Sequence, residues 1–153
     1  MHKIFFVISS IVIADQITKF WIHKNLAFMT YLDIFPFFKI VHFQNKGAAF
    51  SFLHDAAGWQ RYFLITVSMI AIVVIPFFIK KNKKEPLALW SFTFILAGAI
   101  GNLIDRIYYG YVIDFLYLHV NDFYWPAFNI ADSFITIGAF LLIFDMVKKS
   151  REK

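Results

Sequence analysis

The chain has 153 residues, 60% of them apolar and 21% aromatic, which lies outside the range of an ordinary soluble domain and points to a small integral membrane protein. With no cysteine, disulfides and a thiol nucleophile are excluded. The histidines (His2, His23, His42, His54, His119) lack metal-ligand spacing, no phosphate-cradling glycine loop is present, and the net charge of +5 lies mostly beside apolar stretches, so no metal, cofactor or nucleic-acid partner is expected.

A bilayer core requires roughly 20 mostly apolar residues per helix. The first such segment spans 4–22. Its beginning could pass for a cleaved leader, but Asp15 and Lys19 interrupt it and no A-x-A-like site follows, so a retained span is expected. Asp15 and Lys19, four residues apart, share one helix face. In the region 23–61, "FPFFKIVHFQNKGAAFSFL" sets aromatic and β-branched residues around the turn signal Asn45-Lys46-Gly47, predicting a short β-structure on the membrane surface.

The second span covers 62–79 and the third 87–107, joined by the loop "KKNKK". In the third, "GAIGNLIDR" puts Asn102 on the face of Asp105 and Arg106, while Ala97, Gly98, Ala99 and Gly101 predict close helix packing. Residues 108–126 form a short second outer region, where Asp114 sits between Ile113 and Phe115. The fourth span covers 127–147 and carries Asn129 and Asp132 in its first turns. Trp21, Trp59, Tyr62, Tyr108, Tyr109, Tyr124 and Trp125 fall near span ends, as rings favouring the headgroup layer do. The expected fold is an all-α membrane protein of four transmembrane helices, one domain over 1–153, with a small outer β-cradle.

Lys3, Lys80, Lys81, Lys83, Lys84, Lys148, Lys149, Arg151 and Lys153 make up nine of the fifteen basic residues. The positive-inside rule then places both termini and the loop between spans two and three in the cytoplasm. In that orientation Asp15 and Lys19, Asn102, Asp105 and Arg106, and Asn129 and Asp132 converge near the outer leaflet, and Asp114 can reach the same depth. A charge at mid-membrane costs roughly 2.5–3.5 kcal/mol on insertion scales, so groups placed for stability alone would have no reason to share a depth. Simpler readings stand beside this one. Asn129 and Asp132 fit a helix cap, Asp15 and Lys19 a structural ion pair, and Arg106 an interfacial anchor.

No serine lies at helical spacing from a lysine or histidine in the polar set, and Ser51 near Lys46 is a weak candidate for a serine–lysine pair. Carboxylates remain. Two aspartates sharing one proton can activate water and protonate a leaving group without a metal or a covalent intermediate.

The stretches "DQITK" (15–19), "NKGAAFS" (45–51), "AGAIGNLIDR" (97–106), "YVIDF" (111–115) and "FNIADS" (128–133) occur in order along nearly the whole chain. Together they resemble the motifs of the bacterial lipoprotein signal peptidases, or signal peptidase II. Ala97 departs from the Gly-Gly pair common there, and the chain is short at both ends. The resemblance implies an aspartyl endopeptidase of the bacterial cytoplasmic (inner) membrane, without a cofactor, its site toward the outer leaflet. Its substrate would be a diacylglyceryl-modified prolipoprotein held in membrane lipid and cut just before the lipid-modified cysteine. Asp114 and Asp132 would be catalytic, with Asp15, Lys19, Asn45, Gly47, Asn102, Asp105, Arg106 and Asn129 supporting site and substrate. Asp105, beside Arg106, suits a permanently ionised structural role better than proton sharing. Lys46 and Phe50 are candidate contacts to lipid or peptide, with Phe50 and Phe52 as possible lipid anchors. A small transporter or channel, or a lipid-binding scaffold, is the alternative; nearly apolar inner halves of spans two to four argue against conduction.

Overall fold

A computed structural model describes residues 1–47 and 59–152. Phe50, Ser51 and Phe52 lie outside the described residues. The elements run α1 (His2–Asn25), β1 (Tyr31–Phe35), β2 (Phe38–Asn45), α2 (Trp59–Lys81), α3 (Pro86–Tyr108), β3 (Val112–Val120), β4 (Phe123–Tyr124) and α4 (Ile130–Arg151). All four helices, 22 to 24 residues long, are long and apolar enough to cross a bilayer. Their outward surfaces carry side chains such as Phe5, Phe20, Val73 and Phe140, each at least 60% exposed, as a lipid-facing bundle requires.

α3 is the buried centre, and small residues are what admit it there. A Cβ on Gly98 would collide with the carbonyl oxygen of Ala131, one on Gly101 would stand 2.7 Å from Asp15 Oδ2, and one on Gly138 would stand 2.7 Å from the Ser91 carbonyl. The backbones of α3 and α4 therefore approach closely, as the sequence predicts, because lipid supplies no hydrophobic drive between helices and packing must replace it. Ile4, Ile75, Ile79 and Leu96 fill the end of the bundle away from the strands.

The strands form a single antiparallel row in the order β1-β2-β3-β4. The second outer region is thus not a loop, as expected, but supplies β3 and β4. Val112, Ile113, Phe115 and Leu116 favour a pleated half-buried surface, and β2 offers them an edge. The hairpin between β1 and β2 turns at Pro36-Phe37, with Phe35 opposite Phe38. The predicted turn at Asn45-Lys46-Gly47 instead closes β2: the Gly47 N–H donates to Asn45 Oδ1 at 3.0 Å, a side-chain-closed turn.

One further expectation needs correction. α4 begins at Ile130 rather than 127, because Phe128 is extended, exchanging backbone hydrogen bonds with Leu116 at 2.8 and 3.0 Å, and Asn129 is the extended cap residue. The inner half of α4, otherwise nearly all apolar, carries one acid. Asp145 is buried there, 2.7 Å from Lys149, which in turn lies 3.2 Å from Glu85 at the start of α3.

The α3–α4 contact generates a direct test. Gly98→Val should lower the midpoint of unfolding in detergent by the equivalent of roughly 1–3 kcal/mol or more, the usual cost of overpacking. An unchanged midpoint would mean that the two backbones are not in contact at this position.

Candidate active site

The site is built outward from Lys19, whose side chain is 1% exposed inside the bundle. Its ammonium lies 2.8 Å from Asp15 Oδ2 and 3.1 Å from Asp105 Oδ2, and donates to Asn102 Oδ1 at 3.0 Å. A buried cation without such partners would cost several kcal/mol. Three acceptors match the three N–H bonds of an ammonium, so the group is satisfied. The predicted Asp15–Lys19 pair is present. Asp105 also pairs with Lys19, not with its neighbour Arg106, since adjacent helix residues point in different directions.

Each anion does a second task. Asp15 Oδ1 accepts the Ala131 N–H at 2.9 Å, so a carboxylate of α1 satisfies an N-terminal amide of α4. Asp105 Oδ2 accepts the Ile113 N–H at 3.1 Å, which ties β3 to α3 one residue before Asp114. Gln16 joins both acids and the helices: its amide donates to Asp105 Oδ1 at 2.9 Å, to the Gly101 carbonyl at 3.1 Å and to Asp15 Oδ2 at 3.2 Å.

Asn102 carries the order to the next layer. With its oxygen turned to Lys19, its amide nitrogen faces the other way and donates to Asp132 Oδ1 at 2.7 Å. Asn129 joins both remaining acids. Its side-chain nitrogen donates to Asp114 Oδ1 at 2.8 Å and to Asn102 Oδ1 at 3.2 Å. Its side-chain oxygen accepts the Asp132 N–H at 2.9 Å, while its own backbone N–H donates to Asp132 Oδ2 at 3.3 Å. The capping reading is therefore correct, yet the same residue also holds Asp114.

Asp114 reaches this point because β3 pairs with β2. Phe43 stands opposite Asp114, and Asn45, two residues on and thus on the same face, donates to Asp114 Oδ2 at 2.9 Å. All ten site residues expected from the sequence gather here. Among the described residues, Arg106 donates weakly to the Asn102 and Gly47 carbonyls, at 3.4 and 3.5 Å. Lys46 is exposed beside this turn.

A cleft of about 520 Å³ opens against these groups, lined by Asn45, Gly47, Arg106 and Asp132 together with apolar residues including Phe128 and Ile135. Asp132 borders the cleft, whereas Asp114, 3% exposed, sits deeper behind the asparagine amides. Burial, with the charge of Asp132 added, pushes the Asp114 carboxyl up to about 7 from an ordinary 3.8, against the opposing pull of Asn45, Asn129 and Lys19. Asp114 therefore retains a proton under conditions where an exposed aspartate has lost it. Among the described residues, no group of acids, histidines or cysteines is arranged to hold a metal ion.

Two residues with polar roles here were missed in the sequence. Gln16 lies within "DQITK" between the charged pair, and its position, one residue after Asp15 and three before Lys19, was the available signal. Arg61 donates to the carbonyls of Arg106 and Ile107 at 3.1 and 3.4 Å, and the sequence marked it only as the end of the region 23–61.

A family profile described as Signal peptidase (SPase) II matches residues 7–148. A lipoprotein signal peptidase of Alteromonas mediterranea is 46% identical over 142 residues, covering 92% of this chain and 78% of its own. One from Janthinobacterium sp. (strain Marseille) is 47% identical over 139 residues, 91% and 84% of the two chains. Among solved structures, a bacterial membrane enzyme determined by the in meso method at 2.3 Å superposes with a TM-score of 0.89 at 29% identity, covering 100% of this chain and 92% of that one. A second, determined by the same method at 1.9 Å, has a TM-score of 0.83 at 30% identity, covering 97% and 94%.

The raised carboxyl has a measurable consequence. A group that binds its proton more tightly when folded contributes stability fully present below its unfolded value, here 3.8, and lost as pH rises through about 7. The thermal midpoint in detergent should fall across that window, and Asp114→Asn should flatten the slope. An unchanged slope in the variant would assign the proton elsewhere.

Proposed function

The chain belongs to the signal peptidase II family, and on that footing we propose that Asp114 and Asp132 are the catalytic pair with which it cleaves signal peptides from prolipoproteins. The observation that carries the assignment is Asn129, hydrogen-bonded to both carboxyls at once, with the cleft opening beside Asp132. Asp105 is committed to Lys19, Gln16 and the Ile113 amide and is fully buried, which suits a fixed anion and not a proton carrier.

The chemistry is water addition by two acids holding one proton between them. The ionised carboxylate removes a proton from water as its oxygen attacks the scissile carbonyl carbon. The protonated acid gives its proton to the carbonyl oxygen, forming a neutral gem-diol. Collapse breaks the carbon–nitrogen bond, a proton passes to the departing amine, and the pair ends with the single proton it began with. Asp132, on the cleft wall and at the positive end of α4, is the better carboxylate. Asp114, deeper and held up by burial, is the better acid. Arg106, whose side chain lines the cleft, is placed to orient substrate backbone.

The substrate is a diacylglyceryl-modified precursor cut before its lipid-bearing cysteine, presented from the outer leaflet of the bacterial inner membrane. Two features support this reading. The aspartates and the sheet lie at one end of the bundle, and Lys80, Lys81, Lys83, Lys148, Lys149 and Arg151 lie at the other, where the positive-inside rule puts the cytoplasm. The cleft lining is mostly apolar, with Val112, Phe128, Ile135 and Ile137 among its residues, as a lipid-anchored or apolar segment requires.

A purified processing assay tests the assignment. Asp114→Asn and Asp132→Asn should each lower cleavage of lipid-modified precursor by roughly 10²–10⁴-fold or more while the protein stays folded. Precursor lacking the diacylglyceryl group should be cut poorly. Near-full activity in Asp114→Asn together with an inactive, folded Asp105→Asn would transfer the role to Asp105.

A further inference from the structure

Among the described residues, α2 makes none of the hydrogen bonds to Asp114 or Asp132, which come from α3, α4, β2 and the α4 cap. One residue of α2 nevertheless reaches the segment that carries Asp114. Arg61, in the first turn, donates from Nε to the Arg106 carbonyl at 3.1 Å and from Nη2 to the Ile107 carbonyl at 3.4 Å. Both carbonyls belong to the last turn of α3, where they have no partner within the helix, and the cation meets the negative end of the helix.

The turn leaving α3 is equally constrained. Gly110 has φ +85, a conformation that side chains rarely adopt, and a Cβ there would stand 3.1 Å from Arg61 Nη1. The guanidinium thus lies against the turn, and four residues after Gly110 comes Asp114. On the other side of the same segment, Asp105 holds the Ile113 amide. The path from α3 to Asp114 is therefore pinned at two points, by a buried anion and by a cation of another helix. Arg106, whose carbonyl Arg61 holds, lines the cleft with Asp132.

We propose that Arg61 is a positioning residue for cleavage: by clamping the end of α3 and the Gly110 turn, it fixes where Asp114 and Arg106 stand relative to Asp132. This rests on the reading of Asp114 and Asp132 as the catalytic pair. Arg61 acts through the backbone it holds and touches no reacting atom. Small errors in such placement are costly, since a shift of about 1 Å at a reacting group can lower rates on the order of 100-fold.

The test uses the full chain in detergent or nanodiscs with lipid-modified precursor, measuring kcat, KM and the unfolding midpoint. Arg61→Met keeps the length of the side chain and removes its donors, Arg61→Lys keeps the charge without the paired geometry, and Gly110→Ala strains the turn while leaving Arg61 in place. Arg61→Met and Gly110→Ala should each lower kcat by roughly 10-fold or more with KM within about twofold, and Arg61→Lys should restore part of kcat. Full kcat in both Arg61→Met and Gly110→Ala would overturn the proposal. So would a rise in KM at unchanged kcat, which would make Arg61 a substrate contact, or a loss of activity that only follows the loss of folded protein. Asp114→Asn in parallel separates the two claims: if it is active the catalytic-pair reading fails, and if it is inactive while Arg61→Met has full kcat, only the role of Arg61 fails.

Discussion

A lysine ammonium buried among four apolar helices has to be neutralised, and the way Lys19 is neutralised orders everything around it. Its three contacts come from α1 and α3, and each contacting group is anchored to a further element: Asp15 to the start of α4, Asp105 to β3, Asn102 to Asp132. Replacing one member leaves an uncompensated charge in a low-dielectric setting, where the cost is roughly 3–5 kcal/mol. One cation thereby sets the depth and rotation of three helices and the attachment of the sheet.

From that fixed point a chain of amide dipoles runs to the proposed catalytic pair. An asparagine side chain presents an acceptor at one end and donors at the other, so a cation on the oxygen of Asn102 dictates that nitrogen faces Asp132. Asn129 repeats the device, and because it is also the cap of α4 it couples the start of that helix to Asp114 on the strand. Acids held this way need no rearrangement when charge moves between them, which is where preorganised dipoles contribute most to catalysis. The neutral donors also allow the pair to keep one proton, which a further cation placed directly on it would expel.

The four spans and the polar depth were legible in the sequence because both depend on local spacing: apolar runs of bilayer length, and charges three or four residues apart on a helix face. Asn129 and Asp132 were legible as a cap for the same reason. What escaped was decided by partners far along the chain. Asp105 has Arg106 beside it in sequence but Lys19 beside it in space. Residues 112–120 became a strand because β2 offered an edge some 70 residues earlier, as the Asn45–Asp114 hydrogen bond illustrates. Arg61 escaped, since no local pattern announces that a helix end elsewhere lacks hydrogen-bond partners. The choice of catalytic aspartate came from the family motifs rather than from spacing, and the structure adds the physical grounds that favour it.

The central claim is that Asp114 and Asp132 hold one proton between them, while Asp15 and Asp105 are taken up in ion pairs with Lys19. Infrared titration of the purified protein measures this directly, through the carbonyl stretch of a protonated buried carboxyl. Below about pH 7, the region where Asp114 is expected to hold its proton, one such band should be present, should disappear as pH rises, should be lost in Asp114→Asn, and should titrate at lower pH in Asp132→Asn, which removes the added charge but not the burial. It should persist in Asp105→Asn. A band that survives in Asp114→Asn and vanishes in Asp105→Asn would contradict the account.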